Sequence, residues 1–317
     1  MDLTVQILAK NQQTQVVQTI QSLQHLKCQI LVNDLGSQDK TVEYAQKAGA
    51  YVLHHNSTDR SEIRNRIVEQ SGTKFQMYLE PGEVLLQGLQ EIQSFEDISA
   101  YVSIIINGTL RKEIRLWNSE KKFRFHNPVF EYLDCKTDLE VNAFLSGVIN
   151  NDPEQLQALR NWRAKEPTNP SPYYYESCLL LSMGDIDGFM NMSQHYMFIE
   201  TQKTSMPAIM NRYYFALAHL HKGKVRPTLQ NINLCVCARP LMAEFWCLMG
   251  DVYYYLIKDF KKAMSLYENA KLLGSRRKKG DKWPMDISKY KDYPNKMIDS
   301  CKKINESFGI YALALNA

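Results

Sequence analysis

Short apolar runs alternate with helically spaced apolar residues along the first third of the chain. Residues Leu3–Ala9 form such a run and stop at the polar Lys10-Asn11-Gln12. Val16, Val17, Ile20, Leu23 and Leu26 then recur at helical spacing. A second run, residues 28–32, stops at Asn33-Asp34-Leu35-Gly36-Ser37. Val42, Ala45 and Ala48 mark the inner face of a helix that Gly49 ends. Residues 51–53 read as a third strand, and residues 60–71 as a helix carrying Arg64 and Asn65 and stopped by Gly72. Phe75–Leu79 is a fourth strand ending at Glu80-Pro81-Gly82-Glu83. Strand then helix, several times over with short links, predicts an open parallel sheet covered on both faces. Ligands of such sheets bind beyond the carboxyl ends of the strands. Lys10-Asn11, residues 34–37 and residues 80–83 fall at those ends.

From Val141 onward the spacing is helical and strand signals vanish. The clearest unit is residues 243–274, where Trp246, Gly250 and Tyr253 fit the first helix of a tetratricopeptide-like pair. Ala263, Tyr267 and Ala270 fit the second helix if the turn holds one extra residue. Stepping back by a period of about 34 residues brings Gly250 onto Ala216, with Gly223 at the turn and Pro240 at the exit. A weaker unit at residues 173–185 turns at Gly184. Asn151-Asp152-Pro153 and residues 166–170 punctuate helix ends. The expected organisation is therefore an α/β domain over residues 1–137 and an all-α repeat domain over residues 138–317. Repeat stacks of this kind provide a binding face or a dimer contact.

Composition changes this picture little. The chain has 317 residues, a hydrophobic fraction of 44% and a charged fraction of 23%, as expected of folded domains. Nothing approaches the ~18 uninterrupted apolar residues of a membrane span. The amino terminus reads as a strand rather than a secretory leader, and a cytoplasmic location follows as an expectation. The seven cysteines lack metal spacing, and the lone Cys235-x-Cys237 has no second pair. Net charge is only +4. The basic run Arg276, Arg277, Lys278 and Lys279 reads as a solvated loop, or more sharply as a patch for an anionic acceptor or membrane surface. The tyrosine clusters 173–175 and 253–255 read as packing residues.

Specific chemistry comes from the order of short motifs. The chain carries ILAKNQQ at 7–13, LVNDLGSQDKTVEYAQKAGA at 31–50, SEIRN at 61–65, MYLEPGEVL at 77–85 and IRLWNSEKKFRFHNPVFEYL at 114–133. In order and spacing, residues 3–135 resemble family 2 glycosyltransferases of the short, SunS-like or lipopolysaccharide-core type. That resemblance implies a Rossmann-like, A-type glycosyltransferase sheet that binds a nucleoside-diphosphate sugar, a UDP-sugar in the first instance. It implies that Asp34 meets the nucleobase within the Gly36-Ser37 loop and that Glu80 meets the ribose. Arg64 would meet the pyrophosphate, with Lys10, Asn11, Asn65 and Arg124 around the donor, and Glu131 would serve as the base. His126 is a second candidate base. Each residue also has a plainer reading. The Asp34 loop can be only a helix cap, Arg64 can pair with Glu62 or Glu69, Glu131 can be a strand-surface glutamate, and His126 can be structural.

The chain departs from the family where a divalent metal, manganese or magnesium, would bind. Gly82 stands at the metal-side aspartate and Phe130 at the family's histidine. A hard cation needs several oxygen or imidazole ligands, so three readings stay open. Glu83 and His126 rebuild a displaced site; or Arg64, Lys10 and Arg124 stabilise the leaving diphosphate without metal; or catalysis is lost and binding kept. The favoured function is sugar transfer to an acceptor in a peptide, a glycolipid core or a modified DNA base. The rival is a degenerate transferase domain acting as a binding or adaptor protein, with its helical repeats meeting a protein partner or a second copy.

Overall fold

The computed structural model describes residues 2–147, 153–278 and 280–315. Asn151, Asp152 and Lys279, named above, lie outside them. The chain divides into two compact units, Met1–Trp162 and Arg163–Ala317.

The first unit runs β1 (Leu3–Ala9), α1 (Gln13–Ser22), β2 (Gln29–Asp34), α2 (Thr41–Lys47), β3 (Tyr51–His54), α3 (Arg60–Gln70) and β4 (Phe75–Leu79). It continues through β5 (Val84–Gln87), α4 (Leu89–Gln93), β6 (Ser99–Ile106), β7 (Thr109–Asn118), β8 (Phe125–His126), β9 (Tyr132–Leu133), β10 (Glu140–Gly147) and α5 (Pro153–Lys165). The strand order is β3-β2-β1-β4-β7-β6-β10-β5, with β8 and β9 forming a separate antiparallel pair.

The sheet is mixed, not all-parallel. β1 pairs in parallel with β2 and β4, and β2 with β3. β7 is antiparallel to both β4 and β6. The β6–β7 hairpin, turned at Asn107-Gly108 with both residues at positive φ, makes the difference. A two-residue connection can only join antiparallel strands. β10 corrects the expectation that strands end before Val141. Val141, Ala143 and Leu145 alternate into the core of the sheet, the period of two that defines a strand. The sheet unit therefore extends well past residue 137. At Gly88 the backbone turns at φ +99, and a Cβ there would lie 2.3 Å from the Ala143 Cα.

The two faces of β1 differ in kind. Leu3, Val5 and Ile7 belong to the main apolar core with Val16, Ile20, Val32 and Met77. Thr4 and Gln6 alternate with them and are equally buried, while Leu8 packs with Leu31, Ile63 and Ile67 beneath α3.

The second unit is almost entirely helical. After α6 (Pro170–Ser182), α7 (Ile186–Ile199), α8 (Met206–His221) and α9 (Val225–Ala238) come α10 (Ala243–Asp251), a π-helical turn (Val252–Ile257), α11 (Phe260–Gly274), α12 (Ile287–Tyr290) and α13 (Asp292–Leu315). Consecutive helices pack as pairs: α6 with α7, α8 with α9, and α10 with α11. Gly184 and Gly223 end the first helix of their pairs at φ +81 and +67, the left-handed position that favours glycine. The extra residue in the third pair is absorbed by the π-helical turn, which closes at Lys258 with φ +65. Gly250 lets α10 and α11 meet closely, because a Cβ there would lie 2.6 Å from the Tyr267 ring. Two buried carboxylates organise this unit. Asp251 Oδ1 accepts from Tyr267 Oη at 2.7 Å and Tyr293 Oη at 2.6 Å. Glu244 accepts from Tyr290 Oη at 2.6 Å. Arg277 departs from the solvated-loop reading of the basic run. It is buried, bonds Tyr290 Oη at 2.7 Å and reaches the carbonyls of Trp283 and Pro284. No helix among the described residues is long and apolar enough to cross a membrane.

Candidate functional site

The ladder places the carboxyl ends of β1 and β2 together, with Ala9 opposite Asp34, and sets β4 beside β1 with Ile7 opposite Leu79. The loops that follow are tied to one another. Asn11 N donates to Ser37 Oγ at 3.0 Å, and Gln38 N donates to Asn11 Oδ1 at 2.7 Å. Gln12 N donates to Thr41 Oγ1 at 2.8 Å. Asn11 at φ 52 and Gly36 at φ 86 supply the left-handed turns these bonds need.

Asp34 is buried at the end of β2 and serves as the hub of its own loop. Its carboxylate accepts from Ser37 N at 3.1 Å and Gly36 N at 3.3 Å, and lies 3.1 Å from His54 Nδ1. Burial alone would raise its pKa, but the bonds from Ser37, His54 and Gly36 hold it below the ordinary aspartate value. Lys10 pairs with Glu154 at 2.5 Å.

The centre of the site is a four-membered ion network. Arg60 and Arg64 stand one turn apart on α3, whose start is fixed by Asp59 accepting from Glu62 N. Arg60 Nη2 donates to Glu80 at 2.7 Å, and its Nε donates to Glu131 at 3.0 Å. Arg64 Nε donates to Glu131 at 2.5 Å, and its Nη2 to the other oxygen of Glu80. Arg64 therefore pairs with neither Glu62 nor Glu69. Those two carboxylates bind Arg66 and Arg124 instead. Arg64 is fully buried, with its guanidinium 4.5 Å from the centre of the Tyr78 ring and 5.6 Å from that of Phe125. Its Nη1 has no hydrogen-bond partner. Glu131 is far from a strand-surface glutamate, since its side chain is only 4% exposed. Burial would raise its pKa, but the charges and bonds of Arg60 and Arg64 outweigh that and lower it to about 2. The same carboxylates hold Arg60 above the ordinary arginine value against its own desolvation.

The two glutamates after β4 do different work. Glu80, Pro81, Gly82 and Glu83 form a turn closed by Glu83 N donating to Glu80 O at 2.9 Å. Pro81 occupies the second position and Gly82, at φ +91, the third, as a type II turn requires. The position that carries a metal-side aspartate in the resembled family is thus a backbone position suited to glycine. Gly82 N donates to Thr19 Oγ1 at 2.9 Å, which pins the turn to α1. Glu83 folds back inside, where Arg115 grips it with two bonds of 2.9 Å and Glu80 N donates at 2.8 Å. Burial raises Glu83 against the pull of Arg115.

The remaining candidates lie along α3 and the β8–β9 pair. Asn65 binds the backbone of Phe125 at both ends of its amide, donating at 2.9 Å and accepting at 2.8 Å. It thereby sutures α3 to β8. His126 lies 3.0 Å from Asp134 at the surface, and Phe130 sits at φ 53. Arg124 pairs with Glu69 in solvent at 2.5 Å. Among the described residues, no group of three or more histidine, cysteine, aspartate or glutamate side chains is arranged to hold a metal ion. Glu83 and His126 each already have a partner, and the structure does not bring them together as a ligand set.

Sequence reasoning missed Arg60 and Arg115. Arg60 was legible as the residue one helical turn before Arg64, on the same face. Arg115 carries no such signal, because its partner Glu83 is 32 residues away.

No protein-family model matches the chain, and no curated protein matches it significantly. Among solved structures, MamA from Desulfovibrio magneticus RS-1 aligns at 17% identity and a TM-score of 0.36, covering 49% of this chain and 85% of that one. The Sgt2 TPR domain from Aspergillus fumigatus aligns at 14% identity and 0.34, covering 44% and 81%. Glucosyl-3-phosphoglycerate synthase from Mycobacterium tuberculosis, solved with manganese and uridine diphosphate, aligns at 18% and 0.27, covering 33% and 44%. At scores of this size the likenesses assign neither family nor activity. What stands is a mixed α/β sheet unit followed by an almost entirely α-helical unit of stacked helix pairs.

Proposed function

We propose that this chain is a non-catalytic binding protein: a transferase-like sheet unit joined to a helical-repeat unit that docks a protein partner. One observation carries the reading. Glu80 and Glu131, the carboxylates that sugar transfer would put to work, are both held by Arg60 and Arg64. A general base needs a pKa near the working pH, and the charges and bonds of Arg60 and Arg64 hold Glu131 below the ordinary glutamate value. The turn built on Gly82 and the internal Arg115–Glu83 pair add to this, since neither offers an open carboxylate. The helix pairs supply the partner face, as stacked pairs do in repeat proteins.

A second reading keeps sugar transfer without metal, and Arg64 Nη1 favours it as a buried donor with no partner. A donor diphosphate displacing Glu80 would meet both guanidiniums there, in the forked geometry that suits phosphate. Turnover separates the two. Uridine-diphosphate glucose, galactose and N-acetylglucosamine are incubated with the protein, with manganese and then with excess chelator. The binding reading expects no release of uridine diphosphate above the protein-free rate. Release that survives chelation and collapses in Arg64→Ala would establish metal-free transfer. Release restored only by manganese would overturn both readings.

A further inference from the structure

The helical unit carries the chain's positive charge. Residues 163–317 hold 22 lysines and arginines against 14 aspartates and glutamates, whereas residues 1–162 hold 16 against 20. Part of that excess collects where the helix pairs turn. Lys222 reaches Asp187 at the start of α7, which sets the α6–α7 and α8–α9 turns side by side. The short link 239–242 folds α10 back along α9, and the π-helical turn above α10 packs against α9 in turn. The turns of the three pairs therefore share one edge of the stack. Lys222, Lys224 and Arg226 surround the second turn and Lys258, Lys261 and Lys262 the third, all six exposed. Among the described residues only Lys222 has a carboxylate partner, the exposed Asp187. Burial, and after it the charges of Lys222 and Lys224, hold His219 below the ordinary histidine value. The placement works against the helices themselves. Lys224 and Arg226 flank the amino end of α9, which has no acid in its first turn and no capping side chain. Lys261 and Lys262 stand in the first turn of α11, again without an acid. The amino end of a helix is positive and favours carboxylates, so cations gathered at two such ends serve something other than helix stability. Tyr255 and Ile257 are exposed on the π-helical turn between the two groups.

We propose that this edge docks an acidic protein segment that also carries apolar side chains. This rests on the docking role given above to the helical unit and names the chemistry of its partner. Charge complementarity fixes the sign, because exposed cations without partners steer an anionic chain toward themselves. Tyr255 and Ile257 add apolar anchors, and an exposed tyrosine is a frequent centre of binding energy at interfaces. The same pair favours protein over a nucleic-acid strand, which stacks its bases on successive aromatic rings. On this edge Tyr255 alone offers an exposed ring.

Fluorescence anisotropy of the full chain tests this with a labelled peptide of glutamates interrupted by leucines. The same peptide with lysine or serine for glutamate, and an oligothymidine of matched charge, serve as comparisons. The glutamate peptide should bind at least tenfold more tightly than the others and weaken as salt rises. The triple variant Lys224→Glu, Lys258→Glu, Lys261→Glu should lose at least tenfold, its glutamine counterpart at least threefold, and Tyr255→Ser at least threefold. The glutamates fall at the amino ends of α9 and α11, where the dipole favours them, so that variant should melt no lower than wild type. Lys165→Glu, Lys271→Glu, Arg276→Glu has the same net charge but lies away from these turns, and should bind as wild type does. Equal loss in both charge-reversed variants would reduce the effect to net charge and overturn the assignment. Tighter binding of oligothymidine would overturn it in favour of a nucleic acid. Self-association at low salt that the edge variant abolishes would overturn it in favour of a second copy. Preference for the lysine or serine peptide would sink the acidic class and leave the docking role standing, whereas no binding by any peptide would remove both.

Discussion

At the residue scale, the ion network sets the strongest expectations. Removing one partner of a buried pair leaves an uncompensated charge and costs about 3–5 kcal/mol. Glu131→Gln leaves Arg60 and Arg64 with only Glu80, and should lose that much from the sheet unit. Denaturant unfolding followed at the buried Trp117 measures it, and a loss under about 1 kcal/mol would mean the pairs contribute as surface pairs do. The sign with pH follows from the direction of the shift. Glu131 is lowered from an ordinary 4.5 to about 2. Its stabilisation is therefore complete above the unfolded value and drains away as pH falls through that window. Wild type should lose stability between those values more steeply than Glu131→Gln, and parallel curves would contradict this. Gly82 yields a separate expectation. A side chain at φ +91 incurs the left-handed penalty, so Gly82→Asp should lower stability by about 1–2 kcal/mol, read from the same unfolding curves.

Elements show where sequence was informative and where it was silent. β1, β4 and the start of α3 agree with the pattern because local signals mark them: apolar runs, a capping Asp59, and glycines at positive φ after α2 and α3. β10 was missed because its three alternating buried positions include Ala143, small enough to pass unnoticed in a helical reading. The mixed sheet was missed because strand direction depends on connections, and the decisive one is the short Asn107-Gly108 turn. Asp34 was legible as a strand-end carboxylate, whereas its bond to His54 crosses 20 residues and left no trace in local spacing. Between α10 and α11 the sequence foresaw both the small residue and the extra turn residue. Gly250→Ala should overpack this contact, because Tyr267 is held in place by its bond to Asp251. A loss of about 1–3 kcal/mol is expected, visible as a lower melting temperature, and a neutral effect would show that the ring can retreat.

At the scale of the whole molecule, the division falls between Trp162 and Arg163 rather than at residue 137. β10 lies between β6 and β5, so its removal leaves β5 without a pairing strand and opens one edge of β6. A fragment of residues 1–137 should therefore aggregate or lack cooperative unfolding, while one of residues 1–162 unfolds cooperatively. A soluble, cooperative 1–137 fragment would contradict the assignment of β10 to the sheet. Binding without catalysis requires one property of that sheet unit, the locked state of Glu131. Carboxyl-carbon magnetic resonance of glutamate-labelled protein reads it directly, with the Glu131 signal identified by its loss in Glu131→Gln. That signal should stay flat from pH 5 to pH 8 and move only as the solution approaches the acid limit of folding. An inflection near pH 6–7 would contradict it and return Glu131 to the role of a catalytic base.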